Sequence, residues 1–240
     1  MTRRKRRTAE EFGKMLESDP AYQAMMAEKE RKREEAWAMY QEAAKGVLED
    51  LIAVGFDVQS VGELARRFAR DGVRYRLAIP ILMKWLPQVT YAFLKDDIVR
   101  TLSVPWAKPA AAPLLIEEYR KLQGPPQAAT RWAIGNALEV VAVDSVFEDL
   151  VQIATDGRYG SDREMVVLAL GKMKNHEAVE VLIRLLDDED VAGHAVTALG
   201  KLKAPEALPH LERFVKHPKD WIRKEAQKAI KRIEKASSRG

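Results

Sequence analysis

The amino-acid sequence predicts an all-α protein, an α-solenoid of antiparallel helix pairs with a helical N-terminal extension. Two registers of recurring residues predict this fold. A leucine recurs roughly every 32 residues, at Leu82, Leu115, Leu150, Leu182 and Leu211. An arginine recurs with nearly the same period, at Arg100, Arg131, Arg163 and Arg223, with Ala192 at the missing position. Because two independent registers share one period, we expect similar helix pairs to stack on one another.

Residues 1–35 are predicted to form a basic arm and a protruding helical extension. The arm carries five consecutive like charges, so we expect it to be disordered. Thr8 and Glu11 have the spacing of a capping box and predict a short helix. Ser18 and Asp19 end that helix, and Pro20 is placed to open a second, long helix that continues to about Val54.

Residues 36–72 are predicted to form an N-terminal cap of two helices. The later part of the long helix has an apolar face with three- and four-residue spacing. Its members are Trp37, Tyr40, Ala44, Val47, Leu48 and Leu51. After Gly55 a second amphipathic segment contains Val61, Leu64, Ala65 and Phe68, and Asp71 with Gly72 ends it.

Residues 73–235 are predicted to form five helix pairs, followed by a disordered tail at 236–240. Pro80, Pro113 and Pro209 lie near the starts of first helices, where a missing N–H costs least. The second helices carry a small residue six positions after the register arginine, at Ala137, Ala169, Ala198 and Ala229. The first pair departs from this pattern because Trp106 follows Pro105, so we expect its second helix to be short or displaced.

Segments 165–182, 195–211 and 220–230 resemble HEAT repeats, in particular the short type named after phycobilisome lyases. The resemblance is strong over residues 160–235, looser over 75–160 and absent from 1–57. It implies a right-handed superhelix whose second helices line a concave surface. It implies no single activity, because such repeats occur in enzymes, adaptors and scaffolds alike. The segments near Ala78 and Ser103 also look like those of uncharacterised bacterial HEAT-repeat proteins.

Three classes of protein with this type of repeat have known activities, and the residues that carry those activities are not found together in this sequence. HEAT-fold di-iron hydroxylases use several His-Glu pairs, whereas this chain has only His176-Glu177. Bilin lyases share the repeat name, but no residue identifies a chromophore site. Alkylpurine DNA glycosylases of this fold use concave aromatic, acidic and basic residues, and Trp132, Arg131 and Asp144 form a loose version without the local motif. We therefore expect no enzyme activity, no cofactor and no metal site.

Composition favours a soluble, cytoplasmic protein. The 240 residues are 47% hydrophobic and contain no cysteine, which removes disulfides and thiol chemistry and suits a reducing compartment. The basic start is followed by charged residues rather than by an apolar signal core. No segment approaches the roughly 20 apolar residues that would span a bilayer, so no membrane partner is expected.

The register arginines offer two interpretations. They could bind phosphates or acidic groups along the concave face, or they could pair with acids and join adjacent repeats. The second interpretation is favoured, because acids shortly precede or adjoin three of them. These acids are Asp97 before Arg100, Asp162 before Arg163 and Asp220 before Arg223. Arg131 has no such acid and is expected to be the freest of the four.

The candidate partner-binding residues fall in two places. On one second helix, Trp132, Asn136 and Glu139 share a face beside Arg131 and could anchor an interface, although Trp132 could instead pack between repeats. In the N-terminal extension the candidates are Tyr22, Met25 and Met26, since flexible Met side chains suit adaptable contacts. Trp85, Trp106 and Trp221 are assigned to cores or turns.

The two ends of the chain are basic. Residues 201–240 hold 12 Lys or Arg against 5 acids, while the net charge of the whole chain is only +4. The candidate contacts to nucleic acid are Arg3, Arg4, Lys5, Arg6, Arg7, Lys224 and Lys228. The same charges would also keep a terminal repeat soluble.

The leading functional hypothesis is a non-enzymatic adaptor or scaffold. It binds another protein, whose identity the sequence does not give, along the concave face and the N-terminal helices. The first alternative is a nucleic-acid-binding HEAT-like protein that uses the basic ends. The second is an inhibitor or immunity-type protein that masks one enzyme.

Overall fold

The computed structural model describes residues 8–68, 70–124 and 127–238, and in these residues the regular secondary structure is helical throughout. The chain divides into two compact units, Met1–Gly46 and Val47–Gly240. The predicted disordered arm, with Arg3 to Arg7, lies outside the described residues. No described helix is both long enough and apolar enough to cross a lipid bilayer.

The first unit contains helix α1, Ala9–Glu17, and most of helix α2, Pro20–Ala53. The boundary between them is where the sequence predicted it, because Pro20 opens α2 and an Asp19 carboxylate oxygen accepts a hydrogen bond from the Ala21 backbone N–H at 2.9 Å. The charged middle of α2 is a solvated face with ion pairs at three- and four-residue spacing. Arg31, for example, pairs with Glu28 and Glu35.

The second unit begins with the last turns of α2 and continues with short helices. Their bounds are α3 Val61–Phe68, α4 Gly72–Tyr75, α5 Ile79–Trp85, α6 Ala92–Leu102, α7 Ala111–Lys121, α8 Ala128–Val141, α9 Phe147–Thr155, α10 Glu164–Leu170, α11 Glu177–Arg184, α12 Ala192–Leu202, α13 Leu208–Leu211 and α14 Asp220–Ser237. Turns of 3-10 helix occupy Pro105–Ala107, Asp144–Val146, Gly157–Arg163, Leu185–Asp187, Pro205–Ala207 and Glu212–Lys216.

Consecutive helices of the second unit contact each other in pairs: α5 with α6, α7 with α8, α9 with α10, α11 with α12, and α13 with α14. All five register leucines are fully buried, which confirms that they mark one core position per pair. The structure is therefore an all-α solenoid, as predicted. The last helix continues through Ser237, so the first two residues of the predicted tail, 236 and 237, are helical.

The second helices form a continuous layer in the order α3, α6, α8, α10, α12 and α14. Two glycines allow the last of these helices to approach closely. A Cβ on Gly171 would lie 2.7 Å from Ala198, and a Cβ on Gly200 would lie 2.7 Å from Ala229. These separations are shorter than van der Waals contact, so the small residues in the repeat determine how tightly successive repeats stack.

The first pair is irregular because its second helix is displaced, which is one of the two predicted alternatives. The helix is not short, since α6 has 11 residues, as α12 does. Helix α6 ends at Leu102, and the Trp106 ring, in the following 3-10 turn, packs edge-to-face on Tyr75 with centroids 5.8 Å apart.

A buried carboxylate joins α6 to α7: Glu118 accepts hydrogen bonds from Lys95 at 2.6 Å and from Lys121 at 2.7 Å. Burial alone would raise the pKa of Glu118, but the hydrogen bonds from Lys121 and Lys95 outweigh it and hold that pKa below its ordinary value.

Candidate functional site

The solvent-accessible side of the second helices α8, α10, α12 and α14 forms a surface that we call the inner face. Its larger side chains are Trp132, Asn136, Glu139, Lys172, His194, Lys201 and Trp221. Contacts between neighbouring helices connect most of them. The inner face contains three of the sequence-predicted partner-binding residues, all on α8.

Trp132 lies on the exposed side of α8. The residue is 44% exposed, so a large part of the indole is open to solvent. One turn later, the Asn136 side-chain amide donates to the Trp132 carbonyl oxygen at 2.8 Å. This bond holds the Asn136 side chain against the backbone of α8.

Arg131 is not free, and the sequence-based expectation is wrong on this point. Its side chain is only 5% exposed, and its Nε donates to an Asp162 carboxylate oxygen at 2.8 Å. A second guanidinium nitrogen donates to the Gly124 carbonyl oxygen at 3.0 Å. The acid comes from the following repeat rather than from the residues before Arg131. The guanidinium joins two repeats and is not available to a partner.

Arg163 has the same role one repeat further along. It is 1% exposed and donates to an Asp188 carboxylate oxygen at 2.7 Å and to the Ala154 carbonyl oxygen at 2.8 Å. The sequence had assigned Asp162 to Arg163, whereas Asp162 pairs with Arg131. At these two positions the interpretation of the arginines as links between repeats is confirmed.

The outer two arginines pair within their own helices. Arg223 donates to Asp220 at 2.7 Å, as expected from the sequence. Arg100 pairs with Asp96 at 2.9 Å rather than with Asp97, which accepts a hydrogen bond from the Gly62 backbone N–H at 3.2 Å. The register therefore contains two arginines that join repeats and two that do not.

Glu139 is the centre of an ion-pair network across three second helices. One of its carboxylate oxygens lies 2.8 Å from the Lys172 ammonium of the α10 end and 3.0 Å from the Lys201 ammonium of α12. Burial alone would raise the pKa of Glu139, but the hydrogen bonds from Lys172 and Lys201 more than offset this and lower it. Glu139 therefore holds a fixed negative charge whose partners belong to the same chain.

A second aromatic, Trp221, lies at the start of α14, and the sequence reasoning missed it. It is 44% exposed rather than buried. A Cβ on Gly193 would overlap its ring, so this glycine allows the indole to lie directly on α12. The His194 ring is 5.4 Å from the indole, centroid to centroid. The available signal was the glycine at the α12 position that Trp132 occupies in α8.

His194 and Glu164 are partly buried neighbours beside this indole. His194 Nδ1 lies 3.7 Å from a Glu164 carboxylate oxygen. Burial lowers the pKa of His194 and raises the pKa of Glu164. Both shifts are in the direction of the neutral form, and burial is the main cause of each.

The remaining predicted contacts lie elsewhere. Lys224 and Lys228 are exposed on α14 and pair with Asp220 at 2.6 Å and with Glu225 at 2.7 Å. Met25 and Met26 are exposed in the first unit, on α2, where Tyr22 is half-buried. In the described parts of the chain, no group of three or more His, Asp or Glu side chains is arranged to hold a metal ion.

A family model described as HEAT repeats matches residues 147–231. The matched segment begins at the first residue of α9 and covers three of the five helix pairs. The match supports a HEAT-repeat protein and agrees with the part of the sequence in which the resemblance is strongest. No curated protein matches the chain.

Proposed function

We propose that this protein is a non-enzymatic, cytoplasmic adaptor or scaffold that binds another protein along the inner face. HEAT repeats commonly mediate protein interactions, which supports the class of function. The observation that carries the proposal is the exposure of two indoles, Trp132 and Trp221, on second helices of the stack. Trp is one of the residue types enriched among the energetically dominant residues of protein interfaces.

The surroundings of the two indoles also favour binding by a preformed surface. Asn136 is fixed beside Trp132, and Glu139 is fixed by two lysines. Side chains that are already ordered lose little entropy when a partner binds. The proposed mechanism is surface complementarity without a chemical step.

Capture from native lysate with tagged protein tests the proposal. We expect a protein partner that survives nuclease treatment and is recovered at least about tenfold less by Trp132→Ala. Trp37→Ala is the matched control, because Trp37 is 47% exposed and lies in the first unit. Equal recovery by Trp132→Ala and the wild type would overturn the proposal. Recovery that disappears with nuclease would favour the nucleic-acid alternative, whose affinity falls steeply with salt.

The N-terminal residues Tyr22, Met25 and Met26 are a second proposed contact. Met25 and Met26 are exposed on consecutive positions of α2, which suits an adaptable apolar contact. Replacing both by Glu in the full chain should weaken capture of the same partner if the extension takes part. Unchanged capture would restrict recognition to the second unit.

The phycobilisome-lyase-like repeat type and a bacterial origin stay predictions.

A further inference from the structure

Helix α14 carries a straight line of exposed residues with three- and four-residue spacing. The line begins at Trp221 and continues through Lys224, Lys228, Lys231 and Lys235, which we call the lysine stripe. It is about 21 Å long at the rise of an α-helix. The buried residues of α14, which are Ile222, Ala226, Ala229 and Ile233, follow the same spacing on the other side of the helix. The stripe therefore lies opposite the buried face of α14, and its spacing is the one at which two helices meet.

In the preceding repeat, the equivalent positions of the second helix α12 are in contact with α14. Gly193 and Gly200 of α12 occupy the register positions of Lys224 and Lys231. Gly193 lies under the Trp221 ring, and Gly200 lies against Ala229. In α12 these positions are therefore where α14 packs. In α14 they carry long cationic side chains, so a helix that packs there needs a different chemistry.

The stripe has positive charge that the described residues do not fully neutralise. Lys224 and Lys228 pair with acids of α14 that are themselves exposed or partly exposed, and such pairs contribute little. In the described chain, Lys231 and Lys235 form no ion pair. Trp221, held against α12, adds an apolar contact at one end of the stripe.

We propose that the lysine stripe binds an acidic α-helix of a protein partner. That helix carries an apolar residue opposite Trp221 and carboxylates at three- and four-residue intervals opposite the lysines. It packs along α14 as α14 packs along α12, with ion pairs in place of the small-residue contact. The inference rests on the proposed function, because it specifies the chemistry of the protein partner.

The spacing favours a helix over a nucleic acid. The four lysines of α14 lie on one line, and Arg232, which is also exposed, lies beside it. The spacing along the line matches the side-chain spacing of another helix over three to four turns. Non-specific nucleic-acid sites instead combine a broad basic groove with several stacking aromatics. Here one indole heads the line, and α14 also carries the acids Asp220, Glu225 and Glu234.

Fluorescence anisotropy of labelled probes with the full-length protein tests the inference. The first probe is a 21-residue helical peptide with one Leu and four Glu at the stated spacing. A second peptide has the same composition with scrambled Glu positions, and a third probe is a 20-nucleotide oligo-dT strand. We expect the patterned peptide to bind at least about tenfold more tightly than the scrambled peptide at low salt.

The protein variants supply the matched test. Lys231→Glu combined with Lys235→Glu should weaken the patterned peptide at least about tenfold. A peptide with Lys at only the two Glu positions opposite residues 231 and 235 should then bind this variant. Lys216→Glu is the control, since Lys216 is exposed in the same repeat and outside the stripe. Circular dichroism of each variant verifies that α14 remains folded.

Equal binding of the patterned and scrambled peptides would overturn the inference, as would tighter binding of oligo-dT that is lost in the double variant. The proposed function has a separate test. A partner that Trp132→Ala loses and the lysine double variant retains would overturn the lysine stripe and leave the inner face in place. The double variant could instead lose peptide binding while Trp132→Ala captures as much partner as the wild type. That result would support the lysine stripe and overturn the inner face as the binding surface.

Discussion

Gly200 of α12 lies so close to Ala229 of α14 that a Cβ added to Gly200 would be 2.7 Å from the Ala229 Cβ. A methyl group at this position has no room unless the two helices separate. The Gly171 contact with Ala198 repeats the relationship one step earlier in the stack. Both glycines lie inside the packing between helices. Glycine is needed at these positions because a Cβ has no room, and not because the backbone adopts a left-handed conformation.

Gly200→Ala is expected to destabilise the protein by about 2 kcal/mol, because overpacking costs more than the gain in helix propensity returns. Urea denaturation followed by circular dichroism measures the change. Gly157→Ala is the control, since no atom lies within 4 Å of the added Cβ. A Gly200→Ala variant as stable as the wild type would mean that the helices separate at no cost.

Arg163→Met is expected to lower the free energy of unfolding by about 3 kcal/mol, because it leaves a carboxylate and two carbonyl oxygens without their donor. Arg223→Met is the control at the equivalent register position. Arg223 also donates to one carboxylate and two carbonyl oxygens, but these partners belong to its own repeat and are largely exposed, so its loss should matter much less. Equal losses in urea titrations of the two variants would contradict the role of Arg163 as a link between repeats.

Glu118 is expected to contribute stability that depends on pH. Its pKa is lowered in the folded protein, so its stabilising effect is fully present above the ordinary carboxyl value of 4.5 and is lost as the pH falls below it. Glu118→Gln should cost about 2 kcal/mol at neutral pH, and this difference from the wild type should shrink below pH 4.5. Urea midpoints between about pH 3 and 7 measure it. Glu117→Gln is the control, because Glu117 is the exposed neighbour. Its free energy of unfolding should differ little from that of the wild type, and the difference should not shrink below pH 4.5.

His194 should report its own protonation through Trp221, because a charged imidazole quenches a neighbouring indole. Burial lowers the pKa of His194, so the folded protein takes up this proton only below the ordinary value of 6.5. We expect the fluorescence difference between the wild type and Trp221→Phe to fall with a midpoint below pH 6.5. His194→Gln should abolish the transition. A midpoint at or above pH 6.5 would show that the carboxylate of Glu164 dominates instead.

The number and order of the helix pairs could be predicted because the leucine core positions repeat with one period. The start of α2 could also be predicted, since Pro20 and Asp19 act within a few residues of each other. The irregular end of α6 follows from Pro105 in the same way. Each of these features is determined by local sequence or by a repeated pattern.

The partners of the site residues could not be predicted in this way. Arg131 pairs with an acid 31 residues later, in the next repeat, so the absence of a preceding acid gave the wrong expectation. Trp221 lies against α12 because Gly193 of that helix leaves room for its ring, and the residue remains 44% exposed. Such contacts depend on how two repeats align in space, and one window of sequence does not contain that information.

The bond from Lys201 to Glu139 connects two helices that are separated by a third, 62 residues apart in the chain. In most repeat arrays, folding cooperativity arises from nearest neighbours alone. Here α8, α10 and α12 share one carboxylate through Lys172 and Lys201, which couples α8 to its second neighbour α12 as well. These three helices should therefore protect their amide protons from exchange as one unit, and neutralising Glu139 should allow α8 and α12 to open separately.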